Sequence, residues 1–256
     1  MGVVRPLLVL SGILIGSAVA QETIRYDFNN FKDGPIDGQM EWNVYEKVSD
    51  SSALSIMDEL GTSEAKGDKA LVVRSSLDDI RCVTGEPLRW LPGSTLSMEF
   101  DFKLAVESGE IMMDKPVLTV LIGDALLSEK ARWSLQIEAM TNGDWRVVGG
   151  MPDEVSEVIY AENFLLRIGN ETSISEWHTL KLVVEKLSEP DSFETHVQIQ
   201  NSKSGKALAE VRFTDKKKDK VTASMWNTSR AHVGFQAAQR QLGIFCIDNL
   251  RISSAK

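Results

Sequence analysis

The 256-residue sequence has little cysteine and no complete catalytic signature. Its two cysteines, Cys82 and Cys246, have no neighbouring cysteine or histidine at ligand spacing, which argues against a zinc centre built on them. Neither a G-x-S-x-G nor an H-E-x-x-H motif occurs, and no glycine loop has the pattern that cradles phosphate. Helical periodicity is weak throughout, so the sequence does not predict a helical protein.

No apolar run is long enough to cross a bilayer. The run in residues 7–15 follows Arg5 and precedes Ala18, Val19 and Ala20, a pattern typical of a secretory signal peptide. Residues 1–20 are therefore predicted to be a signal peptide, and the mature chain is predicted to begin at Gln21. The product is expected to be exported from a bacterium, as a secreted or periplasmic protein, without membrane insertion.

Positive charge is in deficit, because the formal net charge is -9 at pH 7. Nucleic acid and anionic membrane surfaces would be repelled on average, so neither is expected as a partner. The one basic cluster, residues 216–220, is interrupted by Asp219 and is predicted to be a solvated hairpin loop. No Pro/Gly/Ser-rich linker and no internal repeat occurs, so residues 21–256 are predicted to form a single domain.

Many segments of the sequence alternate between polar and apolar residues with a period of two. In residues 95–106, polar positions alternate with apolar ones, which are Leu96, Met98, Phe100, Phe102 and Leu104. Residues 131–140 repeat the pattern, and Asn142-Gly143 predicts a hairpin turn into residues 144–148. Further strands are predicted at 23–28, 69–74, 177–187, 193–200, 206–213 and 232–238, while residues 52–60 are expected to form a turn or two of helix. This pattern predicts an all-β, antiparallel, two-sheet sandwich.

The last predicted strand, residues 243–253, is apolar at odd and even positions, which predicts that both of its faces are covered. Alternation puts Asp248 on the same face as Cys246, Leu250 and Ile252, where an unpaired carboxylate would be costly. Asp248 is therefore expected to be exposed by a bulge, paired with an arginine or bound to a cation. The exported context favours a disulfide between Cys82 and Cys246, and two separate buried thiols are the alternative.

Several short segments together resemble the concanavalin A-like lectin/glucanase superfamily, in its laminin-G-like branch of exported bacterial proteins. They are Tyr26-Asp27-Phe28, Phe31-x-x-Gly34, Gly38-Gln39-x-x-Trp42, Glu176-Trp177-His178-Thr179-Leu180-Lys181-Leu182, Val233-Gly234-Phe235 and Ile247-Asp248-Asn249-Leu250-Arg251-Ile252. The resemblance implies a jelly-roll sandwich with a concave face on which relatives bind or cleave polysaccharides. It also implies a structural Ca²⁺ held by an aspartate of the last strand, here Asp248, with Asp27 or backbone carbonyls as companions.

The sequence can be compared with the residues that catalysis on the concave face would require. Hydrolysing relatives carry a nucleophile and an acid/base glutamate on one strand, and the similar stretch here begins with Glu99 and Asp101. The second glutamate is replaced by Lys103 in one spacing and by Leu104 in the other, which favours an ordinary polar strand face. A lyase would need a Tyr or His base beside a cation, and its candidates are Tyr160, His196 and Arg167.

Sugar binding needs exposed aromatic platforms beside polar side chains. Trp90, Trp145 and Trp226 fall where a side chain could be exposed, with Arg89 and Asn227 as polar partners. The alternative for each of these tryptophans is that it anchors its loop. The other three tryptophans fall within strand patterns and are expected in the core, namely Trp42, Trp133 and Trp177.

These observations favour an exported, non-catalytic carbohydrate-binding or cell-surface interaction module, with a polysaccharide or other glycan as its partner. One alternative is a glycoside hydrolase or polysaccharide lyase that uses the concave face. Another is a structural envelope protein without a ligand. No cofactor other than the structural Ca²⁺ is expected.

Overall fold

The structure, a computed structural model, describes residues 22–45, 53–58, 61–63, 66–74, 80–107, 115–124, 132–139, 145–151, 154–161, 167–168, 172–174, 176–190, 192–216, 226–237 and 244–256. The predicted signal peptide and the Asn142-Gly143 turn lie outside these residues. Within the described ranges, no helix is long and apolar enough to span a membrane.

The described chain is built almost entirely of strands. In chain order they are β1 (Glu22–Tyr26), β2 (Gly34–Pro35), β3 (Asn43–Tyr45), β4 (Leu54–Met57), β5 (Ala70–Arg74), β6 (Ile80–Val83), β7 (Leu88–Arg89), β8 (Ser94–Glu107), β9 (Lys115–Gly123), β10 (Arg132–Ala139), β11 (Trp145–Met151), β12 (Glu154–Ala161), β13 (Arg167–Ile168), β14 (Thr172–Ile174), β15 (His178–Lys186), β16 (Ser192–Asn201), β17 (Ala207–Lys216), β18 (Arg230–Ala237) and β19 (Ile244–Ala255).

These strands form two antiparallel sheets. The larger sheet has eleven strands in the order β17-β16-β15-β8-β19-β5-β4-β2, with β1 beside β19 and with β14 and β13 following β8. The smaller sheet has eight strands in the order β12-β11-β10-β9-β18-β6-β3, with β7 beside the start of β18. The predicted all-β, antiparallel, two-sheet jelly-roll sandwich is thus confirmed.

The core lies between the two sheets and is filled from the alternating positions that the sequence showed. From β8 come Leu96, Met98, Phe100 and Phe102, and from β10 come Trp133, Leu135 and Ile137, all of them buried. Removing these side chains from water contributes roughly 1.5–3 kcal/mol for each large apolar one, which is the main force holding the sheets face to face. Trp42 and Trp133 lie in this core as predicted, whereas Trp177 is partly buried and packs against the small cluster that holds Cys246, so its predicted place in the core is wrong.

Residues 52–60 depart from prediction, because β4 and not a helical turn occupies their centre. Leu54, Ser55 and Ile56 are all buried, and β4 pairs with β2 on one side and β5 on the other. Burial on both faces removes the alternation that marks a half-exposed strand, so the stretch lacked a period-two signal. Eight further strands were not predicted, namely β2, β3, β6, β7, β9, β12, β13 and β14.

Strand β19 does not keep simple alternation. Its register with β8 shifts after Asp248, and Asn249 adopts a left-handed conformation with φ of 51°. The shift turns Leu250 and Ile252 into the main core, while Cys246 lies in a separate small cluster on the outer face. The prediction that Cys246, Leu250 and Ile252 share a face is therefore wrong. A bulge is present, but Asp248 stays buried, so the bulge does not expose Asp248 as one of the three expectations had it.

The predicted disulfide is also wrong, since Cys82 and Cys246 are both buried thiols. Cys82, on β6, belongs to the main core between the sheets. Cys246 lies on the other side of β19, with Ala70 and Val72. The backbone of the larger sheet therefore separates the two side chains, and the alternative of two separate buried thiols holds.

Candidate functional site

Three segments that are distant in sequence meet at one end of the sandwich. β7 pairs with the start of β18, with Arg89 opposite Arg230 and Leu88 opposite Ala231. The Trp90 amide donates a hydrogen bond to the Ser229 carbonyl oxygen at 2.8 Å. We call residues 88–91, 186–187 and 226–230 the end cluster. It contains four of the five predicted sugar-contacting residues.

Lys186 ties this cluster together from inside. It continues the core-facing positions of β15 after Leu180, Leu182 and Val184, and its side chain is fully buried. The Lys186 ammonium donates to the carbonyl oxygens of Trp90 at 3.1 Å and Thr228 at 2.5 Å. Burial lowers the pKa of Lys186 to about 8, because a charge removed from water is disfavoured.

Trp90 is not the exposed platform that the sequence suggested. Its side chain is 0% exposed, its ring centroid lies 5.6 Å from that of Phe193, and the Lys186 ammonium lies 4.5 Å from it. A buried indole offers no face to a sugar ring, so Trp90 anchors its loop, as the alternative had it. The favourable cation–π contact explains part of how a lysine is tolerated in this interior.

Trp226 and its neighbours are better placed to contact a ligand. Trp226 is half-buried, packs against the core and donates its indole N–H to the Leu187 carbonyl oxygen at 3.3 Å. Asn227 and Arg89 are exposed. The main-chain N–H of Arg89 donates to Glu22 Oε2 at 2.9 Å. The cluster thus offers a fixed, partly open indole with polar side chains around it.

Trp145 does not join this group. It begins β11 opposite Ala139, the last residue of β10. The other end of β10 lies near β18, because Arg132 pairs with Gly123 and Gly123 pairs with His232. Trp145 is therefore positioned at the opposite end of the smaller sheet from Arg230.

Asp248, the predicted calcium ligand, is 2% exposed on β19. Its Oδ2 accepts the Thr62 N–H at 3.0 Å and its Oδ1 accepts the Asn249 N–H at 2.7 Å. Burial, with a smaller contribution from Asp68, raises the pKa of Asp248, although the two amide hydrogen bonds act against it.

These residues do not fit a calcium site. Both Asp248 oxygens already accept amide hydrogens, and Asp27 is exposed with its Oδ1 accepting the Asn29 N–H at 3.2 Å. Among the described residues, no group of three or more Asp, Glu, His or Cys side chains is placed to hold a metal. Ca²⁺ usually takes six to eight oxygen ligands, mostly from several carboxylates and carbonyls.

The stretch that resembles a hydrolase strand lies on the outer face of the larger sheet. Asp101 Oδ1 accepts hydrogen bonds from Thr179 at 2.6 Å and Ser202 at 3.0 Å, while its Oδ2 accepts one from Asn249 at 2.9 Å. Lys103 extends over the ring of Trp177, 6.0 Å from its centroid. Both oxygens of Asp101 are thus occupied by hydrogen bonds from neighbouring strands and loops. This agrees with the interpretation of the stretch as an ordinary polar strand face.

The three lyase candidates are distributed over both sheets. Tyr160 is on β12 of the smaller sheet, whereas Arg167 and His196 are on β13 and β16 of the larger one. His196 contacts Glu210 across the strand pair, with 2.8 Å between Nε2 and Oε1. Nothing in this arrangement places the histidine beside the arginine.

A cleft of about 350 Å³ opens at the far edge of the larger sheet, next to β2 and β4. Its lining includes Pro35, Ile56, Met57 and the half-buried Arg74, whose Nη2 lies 3.0 Å from the Met57 sulfur. The sequence gave no signal for this cleft, because its walls come from segments that only the sheet brings together.

Sequence comparison alone gives no relatives, since no protein-family model and no curated protein matches the chain. Solved structures do match. The winged bean acidic lectin complexed with methyl-α-D-galactose is 11% identical, with a TM-score of 0.51 over 91% of this chain and 99% of that one. The Bauhinia forficata lectin in complex with GalNAc is 9% identical, with a TM-score of 0.52 over 92% and 98%.

An endo-1,3-β-glucanase from Streptomyces sioyaensis is also similar, at 11% identity and a TM-score of 0.51 over 98% of this chain and 99% of that one. Lectins and a glucanase together define the concanavalin A-like lectin/glucanase fold, which is the fold of this chain. At such low identity the likeness establishes architecture and no activity.

Proposed function

We propose that the chain is a carbohydrate-binding module whose binding site is the end cluster. The fold supports carbohydrate recognition, since two lectins of the same architecture are complexed with sugars. The observation that carries the proposal is that Trp226 and Asn227, from one segment, and Arg89, from another, meet at one exposed end.

The chemistry of the cluster suits a sugar. A half-buried indole presents an apolar ring face, and its N–H is already satisfied by Leu187, so the ring orientation is fixed before a ligand arrives. Asn227 supplies both donors and acceptors for hydroxyl groups. Trp90 and Lys186 support the site from within by fixing the two loops that carry these residues.

Glycan binding by purified variants tests the proposal. On a polysaccharide panel, Trp226→Ala is expected to weaken binding by roughly two- to twelvefold, since an aromatic contact is worth about 0.5–1.5 kcal/mol. Trp226→Phe should retain part of the affinity. Trp177→Ala is the matched control, because Trp177 is a partly buried tryptophan just before β15, packed beside Cys246 and away from the end cluster.

Unchanged affinity in Trp226→Ala, with folding intact, would remove the site from the end cluster. Absence of binding to every polysaccharide by the wild type would remove the function. The same panel is scored for release of reducing ends, because a glucanase shares the fold. Turnover by the pure protein would replace the binding module by a glycan-active enzyme.

The proposal includes export and membership of the laminin-G-like branch. The leader pattern in residues 1–20 supports export, and the loose motifs in the two ends of the chain support the branch. Expression of the full chain in a bacterium, followed by amino-terminal sequencing of the exported product, should give a mature protein that begins at Gln21. An uncleaved protein retained in the cytoplasm would refute the export.

A further inference from the structure

Two arginines of the end cluster face each other across β7 and β18. Arg89 and Arg230 are register partners, and both are exposed. Their chain neighbours Leu88 and Ala231 belong to the core, so the two arginines project to the outer side of the smaller sheet. Like charges directly opposite each other in a sheet repel, and an anion bound between them would relieve that repulsion.

The surrounding protein does not neutralise this pair. Within the described ranges, neither guanidinium forms an ion pair, and Arg230 Nη2 donates to the Pro87 carbonyl oxygen at 3.1 Å. The Glu22 carboxylate is close, since its Oε2 accepts the main-chain N–H of Arg89, and its single negative charge offsets part of the two positive ones. A net positive charge therefore remains for a ligand.

A second arginine pair in the protein shows what a balanced arrangement looks like. Arg25 on β1 and Arg251 on β19 are also register partners and also exposed. On its other side, however, Arg251 lies opposite Glu99 of β8, which puts a carboxylate in the same row. The Arg89–Arg230 row has no such partner among the described strands.

The outer side of β18 continues without acidic groups. Its next outward positions are His232, Gly234 and Gln236, and Arg81 of β6 is the register partner of Gln236. His232 is engaged through its Nδ1 with the Thr84 carbonyl oxygen at 2.7 Å. Gly234, Gln236 and Arg81 are buried, so a ligand that extends from the end cluster along β18 would next meet the half-buried His232, and it would meet no described carboxylate on that strand.

We propose that the end cluster binds an acidic glycan, with Arg89 and Arg230 holding the carboxylate or sulfate group of a sugar next to Trp226. This inference rests on the proposed function. Guanidinium groups match the geometry of oxyanions and form short, charge-assisted hydrogen bonds with them. Because the whole chain carries a net charge of -9, the attraction is local to this pair and screened by salt.

The experiment compares polysaccharides that differ only in charge. The probes are polygalacturonate with its methyl ester, and dextran sulfate with dextran, each measured against the full mature chain at low and at moderate salt. The wild type should bind at least one acidic member about tenfold more tightly than its neutral counterpart, and added salt should reduce this preference.

Substitutions assign the preference to the pair. Arg89→Gln with Arg230→Gln should abolish the preference for the acidic member while any binding of the neutral member remains. Arg25→Gln with Arg251→Gln removes the same charge elsewhere and should leave the preference intact. Glu22→Gln should raise affinity for the acidic member about twofold, because it removes the negative charge that lies beside the Arg89 main chain.

Four results would overturn the inference. Equal binding of acidic and neutral members would refute the charge selectivity. The proposed function as a carbohydrate-binding module would then remain without it. If both double variants lose the preference for acidic members equally, the preference comes from the net charge of the protein and not from Arg89 and Arg230. Binding of single-stranded DNA as tight as that of the acidic polysaccharides, and equally dependent on Arg89 and Arg230, would make the pair a general anion site. Absence of all glycan binding would overturn both proposals together.

Discussion

At the scale of single residues, Lys186 is the most unexpected, because it is a charged side chain in an apolar interior. Its ammonium is enclosed between the sheets, where it is held by two carbonyl oxygens and the ring of Trp90. Such a group is tolerated because each of its contacts is to a partial negative charge. It fixes two loops relative to each other, which an apolar side chain of the same length would not do.

The pH dependence of stability reports directly on Lys186. Its pKa is about 8 in the folded protein and 10.5 as the ordinary value, so between these pH values the unfolded chain binds a proton that the folded protein lacks. The free energy of unfolding of the wild type should therefore rise, relative to that of Lys186→Met, as pH increases from about 8 to 10.5. Urea titrations across this range measure it.

Parallel curves for the two proteins would show that Lys186 keeps its ordinary pKa when folded. The control for loss of a positive charge is Lys181→Met, on the outer face of the same strand, where Lys181 lies 3.9 Å from Glu99.

Asp248 should change the stability with pH in the opposite direction to Lys186. Because burial raises its pKa above the ordinary 3.8, the folded protein retains a proton that the unfolded chain has already lost. The wild type should therefore lose stability relative to Asp248→Asn as pH rises from about 3.8 through the raised pKa. Unfolding curves between pH 3.5 and 7 test this, with the exposed Asp27→Asn as the control. A stability difference that does not change with pH would contradict the account.

At the scale of elements, the bulge in β19 decides which side chains of the last strand enter the core. Asn249 adopts the left-handed conformation there and donates from Nδ2 to Asp101 Oδ2 at 2.9 Å and to Thr62 Oγ1 at 3.3 Å. Asn tolerates positive φ better than most residues, and its amide can bridge to the neighbouring strand. Both properties suit this position.

Two substitutions separate these roles. Asn249→Gly keeps the backbone conformation and loses the hydrogen bonds, so we expect a loss of about 1 kcal/mol in the free energy of unfolding. Asn249→Ala adds the cost of a left-handed alanine, for a total of about 2 kcal/mol. Chemical denaturation measures both values. If alanine proves no worse than glycine, the bulge does not impose this backbone conformation.

The two thiols test how β6 and β19 face the core. Burial raises the pKa of Cys82 to about 12, and Cys246 is buried on the far side of its sheet. Neither should react with a thiol reagent in the folded protein, and both should be labelled in denaturant without reductant. Mass spectrometry counts the adducts. Labelling in denaturant only after reduction would mean that the strands face each other differently and a disulfide forms.

At the scale of the whole molecule, the architecture could be predicted because the alternation in β8, β10, β15 and β16 is imposed by burial of one face against solvent on the other. The features that could not be predicted depend on register between strands far apart in sequence. The bulge at Asn249 reversed the faces of Leu250 and Ile252. The disulfide was predicted from the exported context, which carries no information on the face of β19 that Cys246 occupies.

The candidate site was predicted in part. Arg89, Trp226 and Asn227 were chosen from loop-like sequence, and the structure brings their segments together. Trp90 came from the same kind of pattern but is buried, because a loop residue can point inward as readily as outward. Lys186 and Arg230 were missed. The only available signal for Lys186 was the alternation of β15, which places position 186 on the inner face. A lysine at that position is ordinarily interpreted as exposed, so the signal was not used.

The measurement that tests the central claim most directly is an NMR titration of the six tryptophan indole N–H signals with a glycan that the protein retains. We predict that the Trp226 signal shifts in proportion to binding, while those of the core residues Trp42 and Trp133 stay in place. Saturable binding that leaves the Trp226 signal unmoved and shifts Trp145 instead would contradict the assignment of the end cluster as the binding site.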